Sequence, residues 1–347
     1  MERVRRRPGH LLPEEHSLNT TTPESMRAWG RHTHGSPLYL HLVEVIAADP
    51  DLMRVVGRIR HLPQANLLFG AVHLLLMAGR GPELAAYYRS LVEDPLPVTG
   101  SGPVFRRFVL DHEEEIVAIG NTRYTQTNEC RRCAVLLPLV MMAPFDRFHL
   151  IDVGTSAGLN LGLDRYQYRF GDLAWGPESK VLLTVESRGA TPRLHDIEVI
   201  SRIGLDLSPI DPGDQEARLW LDALIWPEHV ERRARLRAAL EVMAAVEVEM
   251  VSGDALVTLP EVLAGLPGAD PAIVVNSFTL IQFSPEQRDQ LEEAAAAARA
   301  QRPVFRASME ALDKSDDWAR LVIDDGLGPR QVGEAHPHGE WIDLAEP

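Results

Sequence analysis

Residues 148 to 160 read FHLIDVGTSAGLN: a short apolar run, the acid Asp152, then a turn carrying Gly154 and Gly158 that is expected to open into a helix. In that order the first strand of an open parallel sheet presents its carboxyl end to a nucleoside-type ligand. The details of the turn discriminate between ligands. A dinucleotide site uses G-x-G-x-x-G so that pyrophosphate can rest against bare backbone at a helix N-terminus, whereas Ser156 holds the middle position here. Asp152 would repel a phosphate but suits a ligand that carries an ammonium and a sulfonium and is held further by ribose hydroxyls. S-adenosylmethionine (SAM) meets that description, with Asp152, Gly154, Thr155, Ser156, Ala157, Gly158 and Asn160 as the expected contacts.

Two further acids follow apolar runs. IGLDLSP, 203 to 209, puts Asp206 and Leu207 at the tip of a second strand, where a carboxylate can accept from a ribose diol. VEMVSGDAL, 248 to 256, offers Asp254 to an adenine amino group beside the backbone amide of Ala255. AIVVNSFTLIQF, 272 to 283, is apolar on both faces as a central parallel strand should be, and brings Asn276 to the same edge. VFRASME, 304 to 310, supplies a fifth strand after an alanine-rich helix from about 286 to 301.

YTQTNECRRC, 124 to 133, gathers Gln126, Asn128, Glu129 and Arg132 just ahead of the first strand. Glu129 is the candidate general base and Arg132 the candidate clamp for an acidic substrate group. The competing account is a helix start capped by Thr127 or Asn128. Cys130 and Cys133 form a C-x-x-C without the strand context of a redox motif or the partner ligands of a zinc site, so two buried thiols are the better account. No metal is expected, and His336 and His338 in HPHG read as a solvated turn. Arg165 and Tyr166, in LDRYQYRFG, border either the substrate pocket or a packed insertion. His73, inside FGAVHLLLM, is either a satisfied core histidine or a substrate contact.

The elements needed to position these groups divide the chain. Residues 1 to 34 lack periodicity and read as a loose arm, and 35 to 143 as a helical cap containing LYLHLVEVIAA, ANLLFGAVHLLLMAG and ELAAYYRSLVED. Residues 144 to 347 read as the sheet domain, with an insertion at about 165 to 196 and a terminal antiparallel hairpin at the sheet edge. In WLDALIWPEHVERRARLRAAL, 220 to 240, Arg232 and Arg233 are expected on the solvated face of an amphipathic helix. The 50 acidic residues against 35 Lys plus Arg give a net charge of −15, which disfavours backbone phosphates and favours a small-molecule substrate over nucleic acid. No apolar run is long enough to span a membrane and MERVRRRPGH lacks the apolar stretch of a secretory signal, so a cytoplasmic location is expected. A homodimer is compatible with the sequence.

Taken together, the turn and the strands after it resemble the α/β, Rossmann-like core of class I SAM-dependent methyltransferases over roughly 145 to 345. The resemblance implies that Asp152, Gly154, Ser156 and Gly158 form the cofactor turn, Asp206 the ribose acid and Asp254 the adenine acid. In that fold the ribose acid lies about twenty residues past the glycine turn; Asp206 lies much further on, which makes Glu186, at the end of VLLTVE, its rival. More narrowly, TQTNECRRCAVLLP, DVGTSAGLNLGLDRY and WLDALIWPEHVERRARLRAAL resemble an uncharacterised bacterial family, domain of unknown function 2332. The expectation is methyl transfer to an O, N or C nucleophile of a small metabolite. The alternative is a catalytically silent SAM-fold regulatory or binding protein, and a nicotinamide oxidoreductase is disfavoured by the missing third glycine.

Overall fold

The computed structural model describes residues 4–6, 21–31, 35–311 and 316–346. In chain order the elements begin with strand β1 (Val4–Arg6) and helices α1 (Pro23–Arg31), α2 (Pro37–Ala48), α3 (Pro50–Gly57), α4 (Gln64–Met77), α5 (Pro82–Ala85), α6 (Ser101–Asp111), α7 (Glu113–Thr122) and α8 (Cys133–Val140). There follow β2 (Arg147–Val153), β3 (Gln167–Phe170), β4 (Leu173–Trp175), β5 (Leu182–Gly189), β6 (Glu198–Asp206), α9 (Gln215–Ala223), α10 (Val230–Ala244) and β7 (Glu249–Ser252). The chain closes with α11 (Ala255–Gly265), β8 (Ala272–Ser277), α12 (Pro285–Ala298), β9 (Val304–Glu310), β10 (Ala319–Asp324), β11 (Arg330–Ala335) and β12 (Trp341–Leu344). Among the described residues no helix is long and apolar enough to cross a membrane.

Two units result. A helical unit takes Glu14–Thr127 and Gln215–Arg237, and a sheet unit takes Asn128–Asp214 and Ala238–Pro347 together with β1. The border expected at 143 therefore falls at 127/128, and the helical unit takes back a later segment of chain. Within the stretch read as a loose arm, Val4–Arg6 pairs parallel with β7 and Pro23–Arg31 is helical. The helix has a local cause: Thr22 and Ser25 exchange backbone and side-chain hydrogen bonds at 2.8 and 3.1 Å around Pro23, a reciprocal cap. Of that stretch, 1 to 3, 7 to 20 and 32 to 34 lie outside the described residues.

Cap chemistry also starts the next helices of the helical unit. Ser36 accepts from Tyr39 N at 3.2 Å and Asp49 from Asp51 N at 2.8 Å, each ahead of a proline at the first helical position. Leu42, Val43, Ile46, Phe69, Val72 and Phe105 close the unit's core. ELAAYYRSLVED, expected as one helix, is helical only over Pro82–Ala85. Beyond it the Ser90 hydroxyl is bound to His73 Nε2 at 2.8 Å and the Ser90 carbonyl accepts from Arg233 at 2.9 Å, so that carbonyl is bound by a side chain from a distant helix.

Arg233 corrects the expectation of a solvated side chain. It is buried, and its guanidinium donates to both oxygens of Asp222 at 2.8 and 2.9 Å, with Arg237 bound to the same carboxylate. Position 233 shares a helix face with the buried Leu236 and Leu240, so helical period carries it inward with them. Burial alone would raise the Asp222 pKa; the two guanidiniums hold it below the ordinary value.

The sheet unit is mixed α/β with a mostly parallel twelve-stranded sheet in the order β1-β7-β6-β2-β8-β9-β10-β11-β12-β5-β3-β4. From β2 the chain moves outward through β6 to β7, then returns to the other side of β2 for β8 and β9, so the strand order reverses between β2 and β8. β2 is paired in parallel on both sides, with Asp152 level with Gly204 on β6 and Val275 on β8. Every residue of β8 is buried, and α11 and α12 cover one face through Leu259, Leu263, Leu291 and Ala295. The expected antiparallel hairpin exists as β10–β11, but it is not an edge: β12 continues it and pairs in parallel with β5. The insertion supplies that neighbour. β5 pairs with β3 through 182–185 and with β12 through 186–189, so the outer strands come from 165 to 196.

The buried Asp222–Arg233 pair sets up a direct test of the helical core. Asp222→Ala should cost about 3–5 kcal/mol in urea unfolding because it leaves a buried guanidinium uncompensated. Adding Arg233→Met should restore much of that loss, and no restoration would mean that Asp222 matters by packing alone.

Candidate functional site

The turn after β2 is fastened to β6. Gly154 N and Thr155 N donate to Leu205 O at 2.8 and 3.1 Å, and Ser156 N donates to Asp206 Oδ2 at 2.9 Å. Asp206 Oδ1 accepts from Ser208 N at 2.8 Å. Burial pushes the Asp206 carboxyl up, and these two amides oppose the rise. The geometry separates the two candidate ribose acids: Asp206 stands at the glycine turn, whereas Glu186 is exposed on β5 and paired with Arg188. Ser156 has φ 49° and Phe278 φ 53°, the two positive values outside glycine among the described residues, and both sit at this end of the sheet.

No α-helix follows the turn, contrary to expectation. Gly158 (φ 73°) leads into a single 3-10 turn, Leu159–Gly162. Side chains take the carbonyls that an α-helix would use: Tyr166 Oη donates to Leu159 O at 3.0 Å and Arg202 to Leu161 O at 3.1 Å, while the Tyr168 hydroxyl takes Leu163 O. The packed-insertion account of the tyrosines therefore holds. Tyr166 is fully buried, and Arg165 reaches back to Asp164.

Asp152 is 0% exposed, and neither of its oxygens meets hydrogen-bond geometry with any of the described residues. Burial raises its pKa to about 7, with Thr155 and Asn160 alongside opposing the rise. The Thr155 hydroxyl and Asn276 Oδ1 are likewise buried without partners. Asn276 spends its amide hydrogens on Ser308 Oγ and Glu310 Oε1, both at 2.7 Å; level with Val153, it faces the other side of the sheet from Asp152. Native proteins pair nearly all such groups. The buried carboxylate at the end of the central strand, with the Thr155 hydroxyl beside it, marks a place for a ligand with donors.

Asn128 and Ser156 form a pair across this site: Asn128 Nδ2 donates to Ser156 Oγ at 2.9 Å and Ala157 N donates to Asn128 Oδ1 at 3.3 Å. Asn128 thus braces the turn instead of capping a helix. The local cap is Glu129, buried, accepting from Arg131 N at 3.1 Å ahead of a 3-10 turn over Cys130–Arg132. Arg132 donates to Pro337 O at 3.0 Å and Ser277 O at 3.5 Å and lies over the Phe278 ring at 4.4 Å. Its planar cation is bound to the ends of two strand connections. Asp254 caps α11 through Leu256 N at 2.9 Å, with Ala255 the buried first helical residue; Leu207 is exposed.

Other candidates lie elsewhere. Gln126 and His73 belong to the helical unit. His73 is a satisfied core histidine, with Nδ1 on Ala223 O at 3.0 Å and Nε2 on Ser90; burial, then Arg233, pushes its pKa down to about 3. Cys130 and Cys133 are buried free thiols, and burial raises the Cys133 pKa well above its ordinary value. His336 and His338 occupy a half-buried tight turn between β11 and β12, where Gly339 packs against Arg131 O. The sequence reading missed Ser277, Thr279 and Glu310. Glu310 accepts from Thr279 N at 2.8 Å and Ile281 N at 3.2 Å as well as from Asn276. Its one sequence signal was an acid closing an apolar strand, the same signal as Asp206.

A family described as "Uncharacterized protein conserved in bacteria (DUF2332)" matches residues 24–344. A comparison with curated proteins found no match.

Asp152 ionises near pH 4 in an unfolded chain and near 7 in the fold, so its contribution to stability is fully present below pH ~4 and lost as pH rises through 7. Relative to wild type, Asp152→Asn should therefore gain a few kcal/mol between pH 4 and pH 8, at about 1.4 kcal/mol per pKa unit. Urea unfolding at both pH values checks this, and a pH-independent difference would mean that Asp152 titrates normally.

Proposed function

We propose that this chain, which belongs to the DUF2332 family, binds SAM across the ends of β2, β6 and β7 through a Rossmann-like, methyltransferase-type sheet. Its activity on this reading is methyl transfer to an O, N or C nucleophile of a small cytoplasmic metabolite. One observation carries the reading: the central strand, at the point where strand order reverses, ends in a fully buried carboxylate with no well-formed hydrogen bond among the described residues. Open sheets bind ligands in the crevice at such a reversal.

The residues present fit this cofactor. Asp152 offers two unpaired oxygens to a cationic group, and the oxygens of Asp206 each accept one amide, leaving lone pairs for a ribose diol. Asp254 and Ala255 stand at the end of β7 for an adenine edge. When bound, SAM supplies an electrophilic methyl group on its sulfonium. The protein's part is to orient an acceptor in line with that methyl and to exclude water. Glu129 is the candidate to take a proton where the acceptor must lose one. Arg132, engaged by two carbonyls and an aromatic ring, acts as a positioning residue for the wall beside β8. That engagement also favours a second reading, a SAM-binding protein without turnover.

Titration calorimetry at pH 8 with SAM and with S-adenosylhomocysteine is the deciding measurement. Asp206→Asn should weaken binding by about 1.5–3 kcal/mol, the value of a hydrogen bond to a charged group. Heat from neither ligand with folded wild-type protein would sink the assignment.

A further inference from the structure

The chain between β8 and α12 lies across the glycine turn. A β-carbon on Gly154 would run into the Thr279 side chain, so Thr279 packs directly on the turn's first glycine. One residue pair earlier, Ser277 Oγ accepts from Asn160 Nδ2 at 3.3 Å, and Asn160 stands beside Asp152. Between them Phe278 holds φ 53°, a conformation that a bulky side chain keeps only when its surroundings impose it.

The surroundings impose it from two directions. Glu310, at the end of β9, accepts from Thr279 N, Ile281 N and the Asn276 amide, three donors on one carboxylate. Arg132 grips Ser277 O and lies on the Phe278 ring, while its Nε is anchored on Pro337 O of the β11–β12 turn. The segment is thus tied at its backbone from below by an acid and at its start by a cation, and neither tie lies within the segment itself. Through Asn160 the segment adjoins a carboxylate that is 0% exposed. A ligand seeking the bare backbone of Gly154 meets Thr279 first.

We propose that residues 277–282 form a latched cover over the glycine turn and Asp152, that Glu310 and Arg132 are its two latches, and that the cover opens to admit a ligand. The inference rests on the SAM reading only for the identity of the ligand, not for the existence of the cover. Glu310 and Arg132 are positioning residues on this account. Opening releases the backbone of Phe278 from its strained conformation and exposes Asp152 to water and to solute.

Glu310→Gln places an amide donor against donors it formerly accepted from, with little change of volume, and Arg132→Met removes the second latch. Two readouts are required in wild type and in both variants. Hydrogen–deuterium exchange of a peptide covering 275–283 should speed up about tenfold or more in Glu310→Gln while strand β2 stays protected, and the Asp152 carboxyl, followed by carbon NMR, should titrate closer to the ordinary aspartate range. Unchanged exchange and unchanged Asp152 titration in both variants would overturn the cover. If the protection of β2 is lost as well, the variant has loosened the whole sheet, and the latch assignment fails. Stopped-flow mixing with S-adenosylhomocysteine then tests entry: the wild-type rate should level off with ligand concentration, and Glu310→Gln should raise the plateau about tenfold. A rate that stays linear and is equal in both proteins refutes gating. Absence of S-adenosylhomocysteine binding to any of the three proteins refutes the SAM reading, while exchange and titration still decide the cover.

Discussion

β2 is hydrogen-bonded along its length by β6 on one side and β8 on the other, which fixes where its last residues stand to within the tolerance of a parallel ladder. Asp152 is therefore held in the middle of the sheet with no freedom to seek solvent. A carboxylate placed there by backbone pairing must be neutral, paired within the protein or paired with something that arrives, because desolvating an ion without compensation is costly. Among the described residues only the side chains of Thr155 and Asn160 stand close to it, and neither meets hydrogen-bond geometry. Around it stand the turn fastened to β6, Asn160 beside the carboxylate, and the segment after β8 that packs on Gly154.

The turn itself is built against its own preferences. Ser156 at positive φ and a glycine on each side are kept in place by bonds to Asp206, Leu205 and Asn128, and the loss of an α-helix after Gly158 is offset by tyrosine and arginine side chains taking the free carbonyls. Asp206 does two things in this arrangement. It fastens the turn through Ser156 and retains hydrogen-bonding capacity toward whatever lies above it. The absence of a long helix N-terminus removes the strongest backbone site for a phosphate, which agrees in sign with an acid at the end of β2.

Buried ionic groups recur through the chain and serve different ends. Asp222 with Arg233 and Arg237 is internally paired and ties helices of the helical unit together. Arg202 with Asp164 and Leu161 O secures the insertion's entry. Glu310 is paired with amides rather than with a cation, so it organises backbone instead of cancelling charge. Asp152 alone of these acids has neither oxygen in a well-formed hydrogen bond, the difference on which the proposed binding role rests.

Much of this was legible in the residues. The runs ending at Asp152, Asp206 and Glu310 and the fully apolar β8 specify strands by local composition, and Thr-Pro, Ser-Pro and Asp-Pro steps specify helix starts, because both signals act within a few residues. What the residues alone left open was everything set by pairing at long range. Asp206 and Glu186 close similar apolar runs, and only strand pairing placed Asp206 at the turn after β2, while Glu186 lies within β5 beside Arg188 of the same strand. The terminal hairpin looked like an edge until the insertion's β5 was found beside β12. Arg233 read as surface yet is interior, and His73, read as either a core histidine or a substrate contact, is the former, since burial depends on which helix face meets which neighbour. Thr279 carries no motif and Glu310 only the acid that closes an apolar run: their contact exists because β8 and β9 lie side by side, which brings the acid at 310 to the amides at 279 and 281.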